Sequence, residues 1–248
     1  MKIALISDIH EDIVALELAL QKISDLKCDE VICLGDISGF SVPYYPYLIE
    51  RNASACLQLI REKCSSILVG NHDLSAIRKT PEISPEFEYP ENWYELDYAE
   101  RKEKAWDKLW LYDHDELNPL YGKSDKAFLD TLPEFCTKQF GEVKVFLSHY
   151  AYPNLTGSYK DFYLYKADLK RHFDFMNQHN CEISFVGHAH AVGLFVGTES
   201  DMLKVDYNQP YQINGKCCIH LPAACRKRED YGFAVFDTEK LEVVAFQI

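Results

Sequence analysis

The sequence predicts an α/β fold, and three observations predict it. Short apolar runs alternate with amphipathic stretches between Lys2 and Val69. Five motifs of carboxylate, amide and imidazole side chains each follow an apolar run. After Phe140 the chain turns β-rich. Strand–helix alternation is the pattern of a layered sheet with parallel pairing, and sites in such folds are built at the C-terminal ends of the strands.

Taken in order, Lys2–Ser7 reads as a buried strand and Asp12–Leu26 as a helix. Ile13, Leu16, Leu20 and Ile23 fall on one apolar stripe, and Asp12 is a suitable N-cap. Val31–Leu34 is the second strand, Ala53–Lys63 the second helix and Ile67–Val69 the third strand. Ile37–Tyr47, with two prolines and three tyrosines, reads as a loop at the mouth of a site. From Leu74 to Phe140 the character changes: all three tryptophans and the charged run Glu100–Lys108 lie here. A mainly helical insertion at about 74–140 is expected, mostly as a covering layer. A partial lid supplying substrate contacts is the sharper alternative. Val143–Leu147, Ile183–Val186, Leu194–Val196, Cys217–Leu221, Phe233–Phe236 and Leu241–Gln247 follow as short strands, interrupted by helical character over Lys160–His179. No repeat or interdomain linker is evident, so one domain over 1–248 is expected.

Composition narrows the classes. No segment approaches the roughly 18 consecutive apolar residues of a membrane span, and the apolar run before Asp8 is too short for a signal peptide. Nine scattered cysteines without a Cys-x-x-Cys pair suit free thiols in a reducing cytosol, so a cytoplasmic protein is expected. Acidic residues outnumber basic ones by 39 to 26, for a formal net charge of −13, and Arg226-Lys227-Arg228 is the only dense basic run. Nucleic-acid binding needs a basic stripe that releases counterions, which argues against a nucleic-acid partner. A local cation site can still bind phosphate.

The motifs are Asp8-x-His10, Gly35-Asp36, Gly70-Asn71-His72-Asp73, Ser148-His149 and Gly187-His188-Ala189-His190. Taken singly, Asp8-x-His10 and Gly35-Asp36 read as surface or capping features. Burying an amide, an imidazole and a carboxylate together after a strand is costly unless they coordinate or hydrogen-bond something. His188 and His190, one small residue apart, can aim at one centre. Five of the nine histidines follow strand-like runs, together with two aspartates. Such a set suits first-row divalent metals and looks like a site for two of them.

This order of motifs resembles the calcineurin-like metallophosphoesterase family, over nearly the whole span from Asp8 to His190. The resemblance implies a four-layer α/β/β/α sandwich of two mixed sheets flanked by helices, with a dinuclear site between the loops of the sheets. It places Asp8, His10 and His190 on one metal, Asn71, His149 and His188 on the second, and Asp36 as the bridge. His72 would not be a ligand; beside Asn71 it would face the substrate phosphate and protonate the leaving oxygen. Asp73 would support the loop. Two metals roughly 3.5–4 Å apart clamp a phosphate and activate a water. The implied reaction is therefore hydrolysis of a small phosphodiester or phosphomonoester, nucleotide-like substrates included, by attack of a metal-bound hydroxide. Manganese, iron, nickel, cobalt and zinc all fit the ligand types.

Two departures refine the resemblance. Branches with Gly-Asp-x-Val-Asp-Arg-Gly and Gly-Asn-His-Glu differ from Gly35-Asp36-Ile37-Ser38-Gly39-Phe40 and Gly70-Asn71-His72-Asp73. The chain therefore lacks their carboxylate partner for the catalytic histidine and their arginine clamp. It is more similar to the small prokaryotic phosphoesterase branch, with Glu11-Asp12 where that branch has Gly-Asn, which adds negative charge beside the site. Arg226 and Arg228 are given no substrate role. Cys217 and Cys218 are read as buried thiols facing opposite sides of a sheet, His114, His172 and His179 as surface histidines, and Asp113–Glu116 as a solvated acidic patch. Pro43–Tyr47 is read equally as a substrate entrance or as loop packing. Two other readings stand beside the enzyme. One is a non-catalytic metal-binding interaction scaffold of the same fold, against which the presence of His72 and all seven ligands counts. The other is a nuclease, against which the acidic balance counts.

Overall fold

Alternation on the first strand sets the layers. In β1 (Lys2–Ile6), Ile3 and Leu5 join one apolar cluster while Ala4 and Ile6 join another on the opposite face. The structure is a computed structural model that describes residues 1–162, 168–227 and 230–248; Arg228 and part of the expected Lys160–His179 helix lie outside the described residues. α1 (Ile13–Asp25) follows, with the Asp12 side chain accepting from the Ala15 amide at 3.1 Å. Then come β2 (Glu30–Cys33), β3 (Phe40–Ser41), α2 (Ala53–Lys63), β4 (Ser66–Ile67) and α3 (Asn71–Ile77). The middle of the chain holds α4 (Tyr98–Ala105), β5 (Glu116–Leu117), α5 (Lys123–Asp130), β6 (Phe135–Phe140) and β7 (Val143–Ser148). The remainder is α6 (Lys170–Gln178), β8 (Ile183–Val186), β9 (Leu194–Thr198), β10 (Met202–Val205), β11 (Pro210–Gln212), β12 (Cys217–His220), β13 (Gly232–Asp237) and β14 (Glu242–Gln247).

Two six-stranded mixed sheets result, ordered β11-β14-β13-β1-β2-β4 and β10-β9-β12-β8-β7-β6. Their inner faces share one core, in which Ile3, Leu5 and Phe236 of the first sheet meet Leu147, Phe185 and Ile219 of the second. On the outer face of the first sheet, Leu16, Ala19 and Ile23 of α1 and Leu57 and Ile60 of α2 pack over Ala4, Ile6 and Val235. Outside the second sheet, Phe173 and Met176 of α6 cover Phe146, Val186 and Cys218. Helix, sheet, sheet and helix are thus stacked as the expected α/β/β/α sandwich. Cys217 faces the inner core and Cys218 the outer one, and all nine cysteines are free.

The 74–140 segment differs from the mainly helical insertion expected. It holds the end of α3 and two eight-residue helices, α4 and α5, separated by irregular chain, and it ends in a strand of the second sheet. Pro81, Pro85, Pro90 and Pro119 interrupt helical propagation. β6 escaped the apolar pattern because it is an edge strand whose residues are mostly half-buried. β3 and β5 pair across the chain, Ser41 opposite Glu116, which ties the segment to the Ile37–Tyr47 loop.

His172 also departs from the surface position the sequence predicts. It is fully buried rather than exposed, because it lies on the sheet-facing side of α6 with Phe173 and Met176. Its Nδ1 accepts from the Tyr152 amide at 3.0 Å, and Nε2 lies 2.9 Å from Ser184 Oγ. Burial, followed by the neighbouring His220, lowers it to about 3, so its folded value lies below that of the unfolded chain. Its contribution to stability is therefore complete above about pH 6.5 and is lost as pH falls toward the folded value. Denaturant titrations should show a wild-type advantage over His172→Gln that shrinks by about 1–2 kcal/mol between roughly pH 7 and pH 5. An advantage constant with pH would refute this.

Candidate metal centre

The backbone turns abruptly after β1, β2 and β8, where three of the motifs leave their strands. Asp8, His10 and Asp36 have φ of +57°, +48° and +54°, and His188 and His190, after β8, have +63° and +47°. Left-handed backbone at non-glycine residues costs energy and clusters at functional sites. Here it folds alternate side chains of each loop into one pit between the sheets. Gly70 permits a close approach: a Cβ there would collide with Asp36 Oδ1 and the Asp36 backbone. Asp36 Oδ1 accepts instead from the His72 amide at 2.9 Å. Gly39, with φ of +102°, lies flat against the His72 ring, where a side chain would clash. Asp73 accepts from the Ser38 amide and hydroxyl at 2.9 and 2.7 Å and from Gly70 N at 3.2 Å, so it braces the loop as expected.

All seven sequence-predicted ligands converge. Asp8 Oδ1 lies 3.3 Å from His190 Nε2, 4.0 Å from His10 Nε2 and 3.9 Å from His149 Nε2. Asp36 Oδ2 lies 3.0 Å from His149 Nε2 and 3.8 Å from His72 Nε2. Both Asp8 oxygens accept from the His188 amide, at 3.1 and 3.0 Å. One potential ligand atom from each of Asp36, His149 and His188 lies within 4.8 Å of the others, and the same holds for His10, Asp36 and His72. Asp36 therefore belongs to two groups at once. Asp8, His10, Asp36, Asn71 and His149 are buried.

The donor set fits cations. Because a carbonyl only accepts, His10 Nδ1, 2.9 Å from Gly39 O, and His149 Nδ1, 2.8 Å from Leu34 O, carry protons outward and turn Nε2 into the pit. Such an outward bond to a carbonyl is the usual orienting device of metal-binding imidazoles. His10 Nε2 then faces His190 Nε2 at 3.1 Å, while Asn71 Oδ1 and His188 Nε2 are buried with no hydrogen-bond partner. Leaving such atoms unpaired is expensive unless something binds them. Burial, then the His149 charge, lowers His188 to about 3, and burial holds His10 well below its usual range. Burial alone would raise Asp8, but His190, His149 and His10 hold it well below the carboxylate range; His149 does the same for Asp36. Neutral imidazoles at His10 and His188 beside ionised carboxylates are protonation states that metal binding requires. At His149 burial works against the charged ring, but Asp36 outweighs it and raises the ring to about 9, so an ion bound there displaces a proton.

Several functional neighbours were missed or misread from sequence. Glu116, in a stretch whose sequence predicts a solvated acidic patch, ion-pairs with His72 Nδ1 and is only 12% exposed at its side chain. It supplies the carboxylate partner that the Gly35–Phe40 motif lacks. Burial works against the charged imidazole, but Glu116 and then Asp36 outweigh it and raise His72 to about 9. Tyr112 accepts from Asn71 Nδ2 and packs on the His72 ring at 4.4 Å between centroids. The charge expected from Glu11-Asp12 is matched: Arg51 lies 3.2 Å from Glu11, and Arg226 spans both Asp12 oxygens at 2.8 Å. Tyr45 and Tyr47 are buried and pack behind the site, Tyr45 stacked on His10 at 5.0 Å; only Tyr44 of the three is exposed. A cavity of about 720 Å³ opens beside His72, bordered by Arg78, Arg101, Tyr112, Glu116 and Lys126.

A family model for calcineurin-like phosphoesterases matches residues 1–192. An uncharacterized protein of Methanocaldococcus jannaschii is 27% identical over 248 residues, covering 98% of this chain and 86% of its own. Among solved structures, a metallophosphoesterase from Sphaerobacter thermophilus superposes with a TM-score of 0.67 at 19% identity, over 100% of this chain and 88% of that one. A hypothetical protein from Pyrococcus horikoshii superposes with a TM-score of 0.60 at 16% identity, over 100% and 87%.

Proposed function

This chain belongs to the calcineurin-like phosphoesterase family, and from that premise we propose that it hydrolyses a small phosphate ester at a centre for two divalent transition-metal ions. The observation that carries this reading is Asp36, one carboxylate within ligand range of His149 and His188 and also of His10, with Asn71 Oδ1 and His188 Nε2 buried and unpartnered. Asp8, His10 and His190 would hold one ion and Asn71, His149 and His188 the other, with Asp36 bridging. Ions held so would supply Lewis acidity toward the phosphate and an activated water near neutral pH.

The chain's own residues do the rest. Asn71 and His72 contact the phosphate. His72 is the general acid: Glu116 fixes its Nδ1–H, leaving Nε2 directed toward the pit to deliver a proton to the departing oxygen. The leaving group extends into the cavity beside His72, whose volume of about 720 Å³ suits a nucleotide-like or similarly small group. The nine free cysteines support a cytoplasmic setting, and no helix among the described residues is long and apolar enough to cross a membrane.

The test is hydrolysis of p-nitrophenyl phosphate and bis-p-nitrophenyl phosphate by metal-stripped protein titrated with manganese, nickel or zinc, with bound metal measured alongside. Turnover restored by metal is expected, and the ratio of the two rates separates monoesterase from diesterase. Two bound ions with no turnover on either ester would favour the interaction scaffold. No bound ion would overturn the reading.

A further inference from the structure

Cys225 stands beside the metal centre in a position no motif announced. One ligand atom each from His10, His190 and Cys225 lies within 4.8 Å of the other two. The thiol-bearing residue is 1% exposed. Its backbone neighbours are tied to both ends of the turn that carries Asp8 and His10. Ala224 N donates to Ser7 O at 2.9 Å, and Arg226 N donates to Asp12 Oδ2 at 2.9 Å. The Arg226 guanidinium then locks onto the same Asp12 carboxylate. The cysteine is thus pinned against the His10 side of the pit by hydrogen bonds at either flank. Cys225 also packs in one buried cluster with Phe40, Tyr45, Tyr47 and Ala223. The family match ends at residue 192, so this loop lies in a part of the chain that match does not cover.

We propose that Cys225 is a further ligand of the ion at Asp8, His10 and His190, and that its sulfur makes this position selective for zinc or ferrous iron. The inference rests on the dinuclear reading above and assigns an identity to one of its two ions. Thiolate sulfur favours zinc and iron over manganese or magnesium, whereas carboxylate, amide and imidazole donors are less selective. The other position, with Asp36, Asn71, His149 and His188, has no sulfur donor in its set. On ligation the S–H proton passes to solvent and the sulfur lone pair forms the bond to the ion. The two positions therefore differ in softness.

The test uses cobalt(II) as a spectroscopic probe, added stepwise to metal-stripped full-length protein. Wild type is expected to show visible ligand-field bands together with a near-ultraviolet thiolate-to-cobalt charge-transfer band. Cys225→Ser should keep the ligand-field bands and lose the charge-transfer band. In an equimolar zinc and manganese mixture, the zinc preference of Cys225→Ser should fall by roughly 10-fold or more, read by metal analysis. Ligand-field bands without charge transfer in wild type would overturn the Cys225 assignment and leave the dinuclear centre standing. So would a charge-transfer band that persists in Cys225→Ser. No cobalt bands at all would overturn the metal centre itself. The wild-type spectrum decides the matter even if the variant fails to fold.

Discussion

Asp36→Asn should empty both metal positions while leaving the fold intact. Dialysed variant protein is expected to retain little metal, and turnover at limiting metal should fall by more than about 100-fold. The substitution isolates ligand charge. Asparagine tolerates left-handed backbone, so φ of +54° at this residue is no obstacle. Its amide oxygen can still accept from the His72 N–H, which Asp36 Oδ1 does at 2.9 Å. What disappears is the negative charge that faces His149 at 3.0 Å and lies within ligand range of His10 and His188, the charge the proposed centre would share between its two ions. Metal analysis beside circular dichroism checks this. Two ions retained at wild-type affinity would show that Asp36 is not the bridge.

His72→Ala is expected to keep the metals and lose turnover by about 10²–10⁴-fold on esters with poor leaving groups. Esters that release p-nitrophenolate need less protonation and should suffer less. Glu116→Gln should follow the same trend at smaller scale, about 10-fold on poor leaving groups, because a neutral amide orients the ring without favouring the imidazolium. Glu116→Asp should recover part of the loss. The leaving-group dependence separates this role from a structural one, since a general loosening of the site would slow good and poor leaving groups alike. Full activity of His72→Ala on a poor leaving group would rule out the general acid.

The candidate ligands could be read in the sequence because each sits immediately after its own apolar run, within a few residues of a strand end. The inner strands β1, β2, β7, β8, β12 and β13 were readable for the same reason: their burial leaves apolar residues in sequence. β6, β10 and β11 lie at or next to sheet edges, and their half-exposed or exposed residues carry no such signal. Glu116 was hidden for a different reason. It reaches His72 only because Ser41 pairs with Glu116 across the small β3–β5 ladder, a long-range contact that no local pattern encodes. Tyr112 and Cys225 were hidden likewise, delivered by loops held through contacts distant in sequence. The one local clue is negative: the Gly35–Phe40 motif lacks the carboxylate that partners the histidine in other branches, and nothing near it says which residue takes that place. His172 was misread because a histidine on a mostly polar helix gives no sign of which face it takes.

The pairing of β1 with β13, Lys2 opposite Asp237, has a consequence for the order in which the chain is made. Asp8 and His10 emerge early in synthesis, and all seven motif ligands have emerged once His190 has, with only Cys225 still to come. Yet β1 still lacks one of its two neighbours then, and β8, which precedes His188 and His190, lacks its partner β12. A nascent chain halted after the region matched by the family would hold all seven ligands without the frame that points them inward. Pairings this far apart are slow to close, so the candidate centre is expected to form only as the C-terminal strands add on. Loss of those strands, which carry none of the seven, should silence the site as surely as loss of a ligand.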